Sequence, residues 1–176
     1  MTRWLDFSGA PPLLIPKRLV KYWRGCLHPA TGAYSELDSD DPVTDYDRAC
    51  EAAWPGRGVL TVNDGSALVL YSEFDEHGWD NDRKLVVSGS WLPSNLELAK
   101  AVWSDPVNWA TEDSEYLLMN SAASGVDGLN EDDFMEVHLS PGRYVIEYTY
   151  LEADLVGIFH RFTRNESEDR RSKPSI

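Results

Sequence analysis

The sequence predicts a single α+β domain, mainly antiparallel sheet with about three helices packed on it. Three observations predict it. β-rich runs follow one another with turn signals between them, helix-period stretches are interspersed without regular alternation, and a length of 176 residues suits one domain of roughly 100 to 200 residues. We assign residues 1–164 to this domain and expect the polar residues 165–176 to form a disordered tail.

Prolines mark the first elements of the chain. Trp4–Ser8 predicts a short strand that ends in the turn Gly9–Pro12, because proline fixes φ and lacks the N–H that a strand ladder needs. Leu13–Ile15 resumes extended chain, and helical spacing of apolar residues from Pro16 predicts a helix that stops at Gly25. The apolar face of this helix holds Leu19, Val20 and Trp23, and its basic residues are Lys17, Arg18, Lys21 and Arg24.

A second helix is predicted to begin at Thr44 and end near Trp54. Thr44 and Asp47 have the spacing of a capping box, and acidic residues in the first turn suit the positive end of the helix dipole. Apolar residues recur on one face of this helix at Tyr46, Ala49, Cys50 and Ala53. We therefore interpret Cys50 as a small core side chain rather than a nucleophile.

A hairpin is predicted around the segment Asn63–Ser66, between the β-rich runs Val59–Val62 and Ala67–Leu70. We place Asp64 and Gly65 at the centre of its turn, because an Asp-Gly pair readily adopts the positive φ values of a tight hairpin.

A third helix is predicted from the capping-box pattern of Ser94 and Glu97 and runs to about Trp103. The segments on either side of it, Lys84–Trp91 and Tyr116–Met119, have the composition of strands.

The C-terminal part of the domain predicts a three-stranded antiparallel meander of Phe134–Leu139, Tyr144–Leu151 and Val156–Thr163. This arrangement would place His138 and His160 on neighbouring strands. We interpret each as a satisfied or surface histidine, since a metal site needs at least three ligands brought together.

The net charge and the number of cysteines limit which partners we expect the protein to bind and in which cellular compartment we expect it. The formal net charge is −14, so the cationic surplus that nucleic acid or an anionic membrane surface requires is missing, and we expect neither as a partner. The chain has no apolar run of signal-peptide or membrane-spanning length, which predicts a cytoplasmic protein. Two cysteines, Cys26 and Cys50, are too few for a disulfide scaffold, and we expect both to be reduced.

Motifs of catalysis and cofactor binding are missing from the sequence. It contains no nucleophile elbow, phosphate loop, dinucleotide fingerprint or zinc-protease helix. Asp80–Asp82 begins like a calcium loop, but Leu85 stands where that loop requires glycine. We predict no enzymatic activity, no cofactor and no metal.

Acidic residues gather in two runs. Residues 36–51 hold seven acids against one arginine, and residues 127–136 hold five acids with no lysine or arginine. The basic side chains of the first helix either pair with such acids inside the fold, which we favour, or form an independent contact patch.

Several of these segments resemble the immunity protein 21 family of bacterial polymorphic-toxin systems. The resemblance extends from Trp4 to about Arg164, and the run Asp-Tyr-Asp-Arg-Ala-Cys is its most specific part. The matching stretches are Trp4 with Ser8–Pro16, Trp23–Gly25, Asp45–Cys50, Asn63–Leu70 and Pro141–Tyr144, followed by the closing strands.

The resemblance implies a non-catalytic protein that binds and neutralises a cognate toxin domain. It transfers no active residues, and it leaves the toxin and the oligomeric state open. An acidic inhibitor suits a basic nuclease toxin, because complementary fields accelerate association.

We expect acidic loops with aromatic anchors to form the toxin-binding surface, since buried aromatic residues supply most interface energy. The candidates are Tyr34, Asp38, Asp40, Asp41, Asp75, Glu76, Trp79, Asp80 and Asp82. The alternative is a small hydrolase or ligand-binding protein with a loop-built site around His77 and Trp79. A third hypothesis is a structural interaction module without an inhibitory role.

Overall fold

The computed structural model describes residues 4–6, 10–34, 43–53, 58–71, 84–86, 95–152 and 156–165. In these ranges the chain forms strands and three short helical segments, and every strand pair is antiparallel. The strands are β1 Trp4–Asp6, β2 Pro12–Pro16, β3 Val59–Val62, β4 Gly65–Val69, β5 Lys84–Val86, β6 Val107–Thr111, β7 Glu115–Asn120, β8 Phe134–His138, β9 Gly142–Glu152 and β10 Val156–Arg164. The helical segments are a 3₁₀ helix Lys17–Tyr22, α1 Asp45–Ala52 and α2 Asn95–Lys100.

The described strands form three sheets. The largest has the order β3-β4-β2-β7-β8, a second has the order β10-β9-β6, and β1 pairs with β5. The prediction of mainly antiparallel sheet with a few helices is confirmed in this form, with short helices. The domain boundary at residue 164 and the disordered tail stay predictions, since residues 166–176 lie outside the described ranges.

The five-stranded sheet is the middle layer, because both of its faces are buried. Its central strand β2 is buried at every residue, and successive side chains of a strand point to opposite faces. Leu13 and Ile15 join a core with the 3₁₀ helix and α1, whereas Leu14 joins a second core with the three-stranded sheet. The order of layers is therefore the 3₁₀ helix and α1, the five-stranded sheet and the three-stranded sheet.

The first predicted helix is a 3₁₀ helix. Its apolar residues are buried as predicted, and the chain turns at Gly25, where φ is +57°. Val20 and Trp23 lie three residues apart, which is one 3₁₀ turn, so both reach the sheet from the short segment that follows Pro16. The buried Trp23 Nε1 donates to the backbone oxygen of Ser121 at 2.9 Å.

The second predicted helix is confirmed with its cap. Thr44 Oγ1 accepts from the Asp47 backbone N–H at 3.1 Å, and Asp47 Oδ2 accepts from the Thr44 N–H at 2.7 Å. Ala49 and Ala53 are buried and Cys50 is half-buried, so the apolar stripe faces the core. Residues 54–57, where the helix was expected to end, lie outside the described ranges.

The predicted hairpin is present, but its turn is shifted by one residue. Val62 pairs with Gly65, so Asn63 and Asp64 are the two turn residues, and Asn63 has a φ of +51°. Asparagine tolerates this left-handed conformation better than most residues, which leaves Gly65 free to begin β4.

The predicted C-terminal meander is wrong in one strand. β9 pairs with β10 as expected. β8, however, pairs with β7 in the five-stranded sheet, and the place beside β9 that was predicted for β8 is taken by β6, a strand that the sequence analysis missed. Val107 and Trp109 of β6 lie opposite Ile146 and Tyr144 of β9 and join the same core. His138 and His160 are therefore on different sheets.

The third predicted helix is confirmed over Asn95–Lys100 and ends three residues earlier than expected. The chain then runs beside β9, where the Ser104 N–H donates to the Tyr148 oxygen at 2.8 Å. Of the predicted strand Lys84–Trp91, only β5 is described. Within the described parts, no helix has both the length and the apolar character needed to cross a membrane.

Candidate functional site

Of the residues predicted to bind a toxin, the described ranges contain Tyr34. Its side chain is 74% exposed and lies at the end of the turn that follows the 3₁₀ helix. The remaining candidates fall outside the described residues: Asp38, Asp40, Asp41, Asp75, Glu76, Trp79, Asp80 and Asp82. His77 of the alternative hydrolase site also lies there.

The turn that carries Tyr34 is held by its own hydrogen bonds. His28 Nδ1 accepts from the backbone N–H groups of Ala30 and Thr31, each at 3.1 Å. The backbone N–H of His28 donates to the backbone oxygen of Ala33 at 2.7 Å, and Leu27 forms an isolated antiparallel β-bridge with Tyr34. This turn therefore holds the phenol of Tyr34 in solvent, where a partner can reach it.

Two carboxylates of the first acidic run, residues 36–51, form hydrogen bonds within the fold. Asp45 accepts from the Arg24 backbone N–H at 2.9 Å and from Arg48 Nη1 at 2.9 Å, and Asp47 closes the capping box of α1. Arg48 also donates to the Thr61 oxygen at 2.6 Å, which ties α1 to β3. These carboxylates stabilise the helix and are engaged internally.

The second acidic run lies on an exposed loop. We call Val126–Asp133 the acidic loop; Val126 is 51% exposed, and Asp127, Glu131, Asp132 and Asp133 are exposed. Gly125, which immediately precedes the acidic loop, anchors it: the backbone N–H of Gly125 donates to the backbone oxygen of Trp23 at 2.9 Å. A Cβ at Gly125 would lie 2.1 Å from the Val20 oxygen, so glycine is required for this close approach.

Two of the four basic residues predicted in the first helix, Lys17 and Arg18, pair with acids inside the fold, which is the arrangement favoured from the sequence. Lys17 Nζ lies 2.7 Å from Glu136, and Arg18 binds Asp64 at 2.6 Å and Asp113 at 2.7 Å. The hydrogen bond from Arg18 lowers the pKa of Asp64, and that from Lys17 lowers the pKa of Glu136. Two charges of the possible contact patch are thus taken up by acids of the same chain.

The other two basic residues have neutral partners. Lys21 Nζ lies 5.0 Å above the ring of Tyr22, and Arg24 donates to the Pro29 oxygen. Both remain exposed at the surface of the 3₁₀ segment.

The cysteines are free, as predicted, and they are not activated. Burial is the main cause that raises the pKa of both Cys26 and Cys50, so both are protonated thiols at neutral pH. Tyr46 lies beside Cys50, and burial raises the pKa of its phenol as well. Among the described residues, no three side chains of the metal-binding types gather in one place.

His160 contradicts its interpretation as a satisfied or surface histidine. Its Nε2 atom is buried and has no hydrogen-bond partner in the part of the chain that the structure describes. Desolvation lowers the pKa of His160 to about 4, so the imidazole is neutral at pH 7. No sequence signal marked it, because its burial depends on which sheet β10 joins.

Comparison with known proteins identifies the family to which the chain belongs. The family model described as Immunity protein 21 matches residues 3–156 of the chain. Neither the curated proteins nor the solved structures contain a significant match.

Proposed function

Because this chain belongs to the immunity protein 21 family, we propose that it is a non-catalytic immunity protein that binds a cognate toxin domain and neutralises it. The observation that carries this proposal is a family match that spans residues 3–156, which includes nearly all of the described fold. The raised pKa values of the two thiols agree with a role in binding rather than in covalent catalysis.

We further propose that the toxin is basic and acts on nucleic acid, and that the encounter takes place in the cytoplasm. The supporting observation is the net charge of −14 together with exposed acids that have no described cationic partner, such as Asp127 and Glu131. A cleft that binds phosphate attracts such a surface, and complementary charge mainly raises the association rate.

The proposed interface combines an aromatic anchor with acidic loops. Tyr34 supplies an exposed phenol on a hydrogen-bonded turn, and large aromatic side chains hold much of the energy in protein interfaces. The acidic loop Val126–Asp133 adds carboxylates that the described fold leaves at the surface. The acids between residues 38 and 41 and between residues 75 and 82 remain part of this proposal.

The first experiment tests neutralisation itself. The gene is co-expressed with the toxin domain encoded next to it, and growth of the host and recovery of the complex on affinity resin are measured. We expect rescue of growth together with a stable complex. Growth arrest in the presence of well-folded protein would reject the proposal for that toxin.

The second experiment locates the interface by association kinetics at low and high salt. Tyr34→Ala is expected to accelerate dissociation, whereas neutralising Asp127 and Glu131 is expected to slow association at low salt only. The matched control neutralises the exposed acids Glu51 and Glu112, which removes the same charge elsewhere on the surface. Equal effects of the two charge variants would show that only the net charge matters.

A further inference from the structure

Exposed apolar side chains gather at one place on the helix side of the middle sheet. Among the described residues, seven large apolar or aromatic side chains are exposed. Four of them lie within two residues of the segment Trp23–Leu27 or of a residue that is paired with or hydrogen-bonded to it: Tyr22, Tyr34, Val43 and Val126. Apolar residues scattered singly are ordinary on a protein surface, whereas a group of them marks a place where another molecule binds.

Two members of this group are brought together by the close packing of two backbones. The N–H of Gly125 donates to the oxygen of Trp23 at 2.9 Å, and a Cβ at Gly125 would lie 2.1 Å from the Val20 oxygen. Tyr22 lies between Val20 and Trp23 in sequence, and Val126 follows Gly125 directly. The side chain of Tyr22 is 45% exposed, so an aromatic and an aliphatic residue emerge at the surface from neighbouring backbones.

The acidic loop lies on the same side of the middle sheet. Leu129, within the loop, packs against the core that the five-stranded sheet shares with the 3₁₀ helix and α1. Asp127 and Glu131, on either side of Leu129 in sequence, are exposed. A border of carboxylates therefore adjoins the exposed apolar group.

Two cations lie within the group itself. Lys21 and Arg24 are exposed, and their partners are the ring of Tyr22 and a backbone oxygen. In the described ranges neither of them has a carboxylate partner, whereas Lys17 and Arg18 of the same segment are paired with acids. In a chain with a net charge of −14, Lys21 and Arg24 are thus open to a carboxylate of another molecule.

We propose that Tyr22, Val126 and Tyr34 form the apolar centre of the toxin-binding surface, and that the toxin places there an apolar side chain with a carboxylate beside it. The carboxylate faces Lys21 and Arg24, and lysine or arginine residues of the toxin face the acidic loop. This inference rests on the proposed function for the identity of the partner. It adds an orientation, because a surface that carries both signs of charge admits its complement in one register.

The first test truncates the centre of this surface. The toxin domain encoded next to the gene is immobilised, and association and dissociation of the full-length protein are measured. Tyr22→Ala is expected to raise Kd about tenfold or more, as the loss of an interface anchor does. The matched control is Tyr150→Ala, because Tyr150 is 44% exposed and belongs to the three-stranded sheet on the other side of the middle sheet. An unchanged Kd for folded Tyr22→Ala would overturn the proposal.

Charge reversal tests the orientation. Lys21→Glu makes the protein more acidic, so attraction of a basic toxin by net charge alone would accelerate association. We expect slower association and faster dissociation instead, because the new carboxylate would face that of the toxin. The control Lys100→Glu makes the same change at the end of α2, close to Val102, whose oxygen accepts from Thr149 of β9, and it should not slow association. Equal rates for the two variants would overturn the assignment of a carboxylate to this place.

Failure of this surface differs from failure of the proposed function. A wild type that binds and neutralises the toxin, with Tyr22→Ala and Lys21→Glu indistinguishable from their controls, would retain its function and lose this surface. A folded wild type that binds no toxin domain would reject the function for that toxin, and the surface with it.

Discussion

The two faces of the five-stranded sheet are buried in different ways. On the helix side, Trp23 packs among small residues such as Ala49 and Ala52, and its indole N–H is satisfied by the backbone of Ser121. On the other side, Trp109 and Tyr116 pack edge to face with centroids 5.4 Å apart. The indole of Trp109 is satisfied as well, by Ser66 Oγ at 3.0 Å.

The difference appears at the end of the second core. β2, the centre of the middle sheet, has five residues, whereas β9 has eleven, so β9 is about 20 Å longer at roughly 3.3 Å per residue. The helix-side core ends with its short elements. The sheet-side core continues along the hairpin to His160, which is buried without a partner among the described residues. The two cores therefore differ in what lies at their ends, and a titratable imidazole ends the sheet-side core.

The largest effect is expected for Trp23 in the helix-side core. Trp23→Ala removes a fully buried indole and its hydrogen bond, and we expect the free energy of unfolding to fall by about 3–5 kcal/mol in urea titrations. Trp103→Ala, which truncates a half-buried indole at the surface of the three-stranded sheet, is the control and should cost less. Similar losses in both variants would contradict the view of a tightly packed helix-side core.

The buried imidazole of His160 at the end of the sheet-side core should make stability depend on pH. The pKa of His160 is about 4 in the folded protein and near 6.5 when unfolded, so the unfolded chain takes up the proton first as the pH falls. Stability is therefore unaffected above pH 6.5 and is lost progressively down to pH 4. Between pH 7 and pH 5 we expect a loss of about 2 kcal/mol.

His160→Phe should abolish this part of the pH dependence, and the control His138→Phe should retain it. Urea titrations of the three proteins at both pH values measure the difference. A wild type and a His160→Phe variant with parallel pH profiles would show that the imidazole is solvated.

A smaller effect is expected where α1 begins. Thr44→Ala removes the side chain that accepts from the Asp47 N–H, and we expect a loss of about 1 kcal/mol in the free energy of unfolding. Thr44→Ser keeps the hydroxyl and should preserve most of the stability. An equal loss in the serine variant would assign the effect to the buried methyl group of Thr44 instead of the cap.

The smallest effect is expected at the ion pair of Lys17 with Glu136, because both side chains are about half exposed and solvent screens the pair. Lys17→Met should leave the urea midpoint nearly unchanged, and any difference from wild type should vanish in high salt. Methionine keeps most of the alkyl chain, so a large loss would show that the ammonium group of Lys17 supports the fold more than a half-exposed pair should.

Local signals explain why some elements were predictable. The capping box of Thr44 and Asp47 and the hairpin around Asn63–Ser66 are formed by residues close in sequence, so both were predictable without the fold. The turn itself lies one residue earlier than predicted, at Asn63 and Asp64. β6 was missed although Val107, Trp109 and Thr111 alternate with exposed residues, because five residues are a short signal and their strand form depends on pairing with the distant β9. Tyr34 was predicted as an accessible aromatic residue and is exposed, whereas its contact with a toxin remains a proposal.

The sequence by itself determined the antiparallel character of the fold, the cap of α1, the buried faces of the first two helices and the acidic surface. Each depends on spacing or composition, which a chain carries in any conformation. Only the tertiary structure decided that β8 and β9 belong to different sheets and that Nε2 of His160 is buried. Strand pairing joins residues that are far apart in sequence. Alternation of apolar and polar residues along one strand indicates that one face is buried, but it does not indicate which element covers that face.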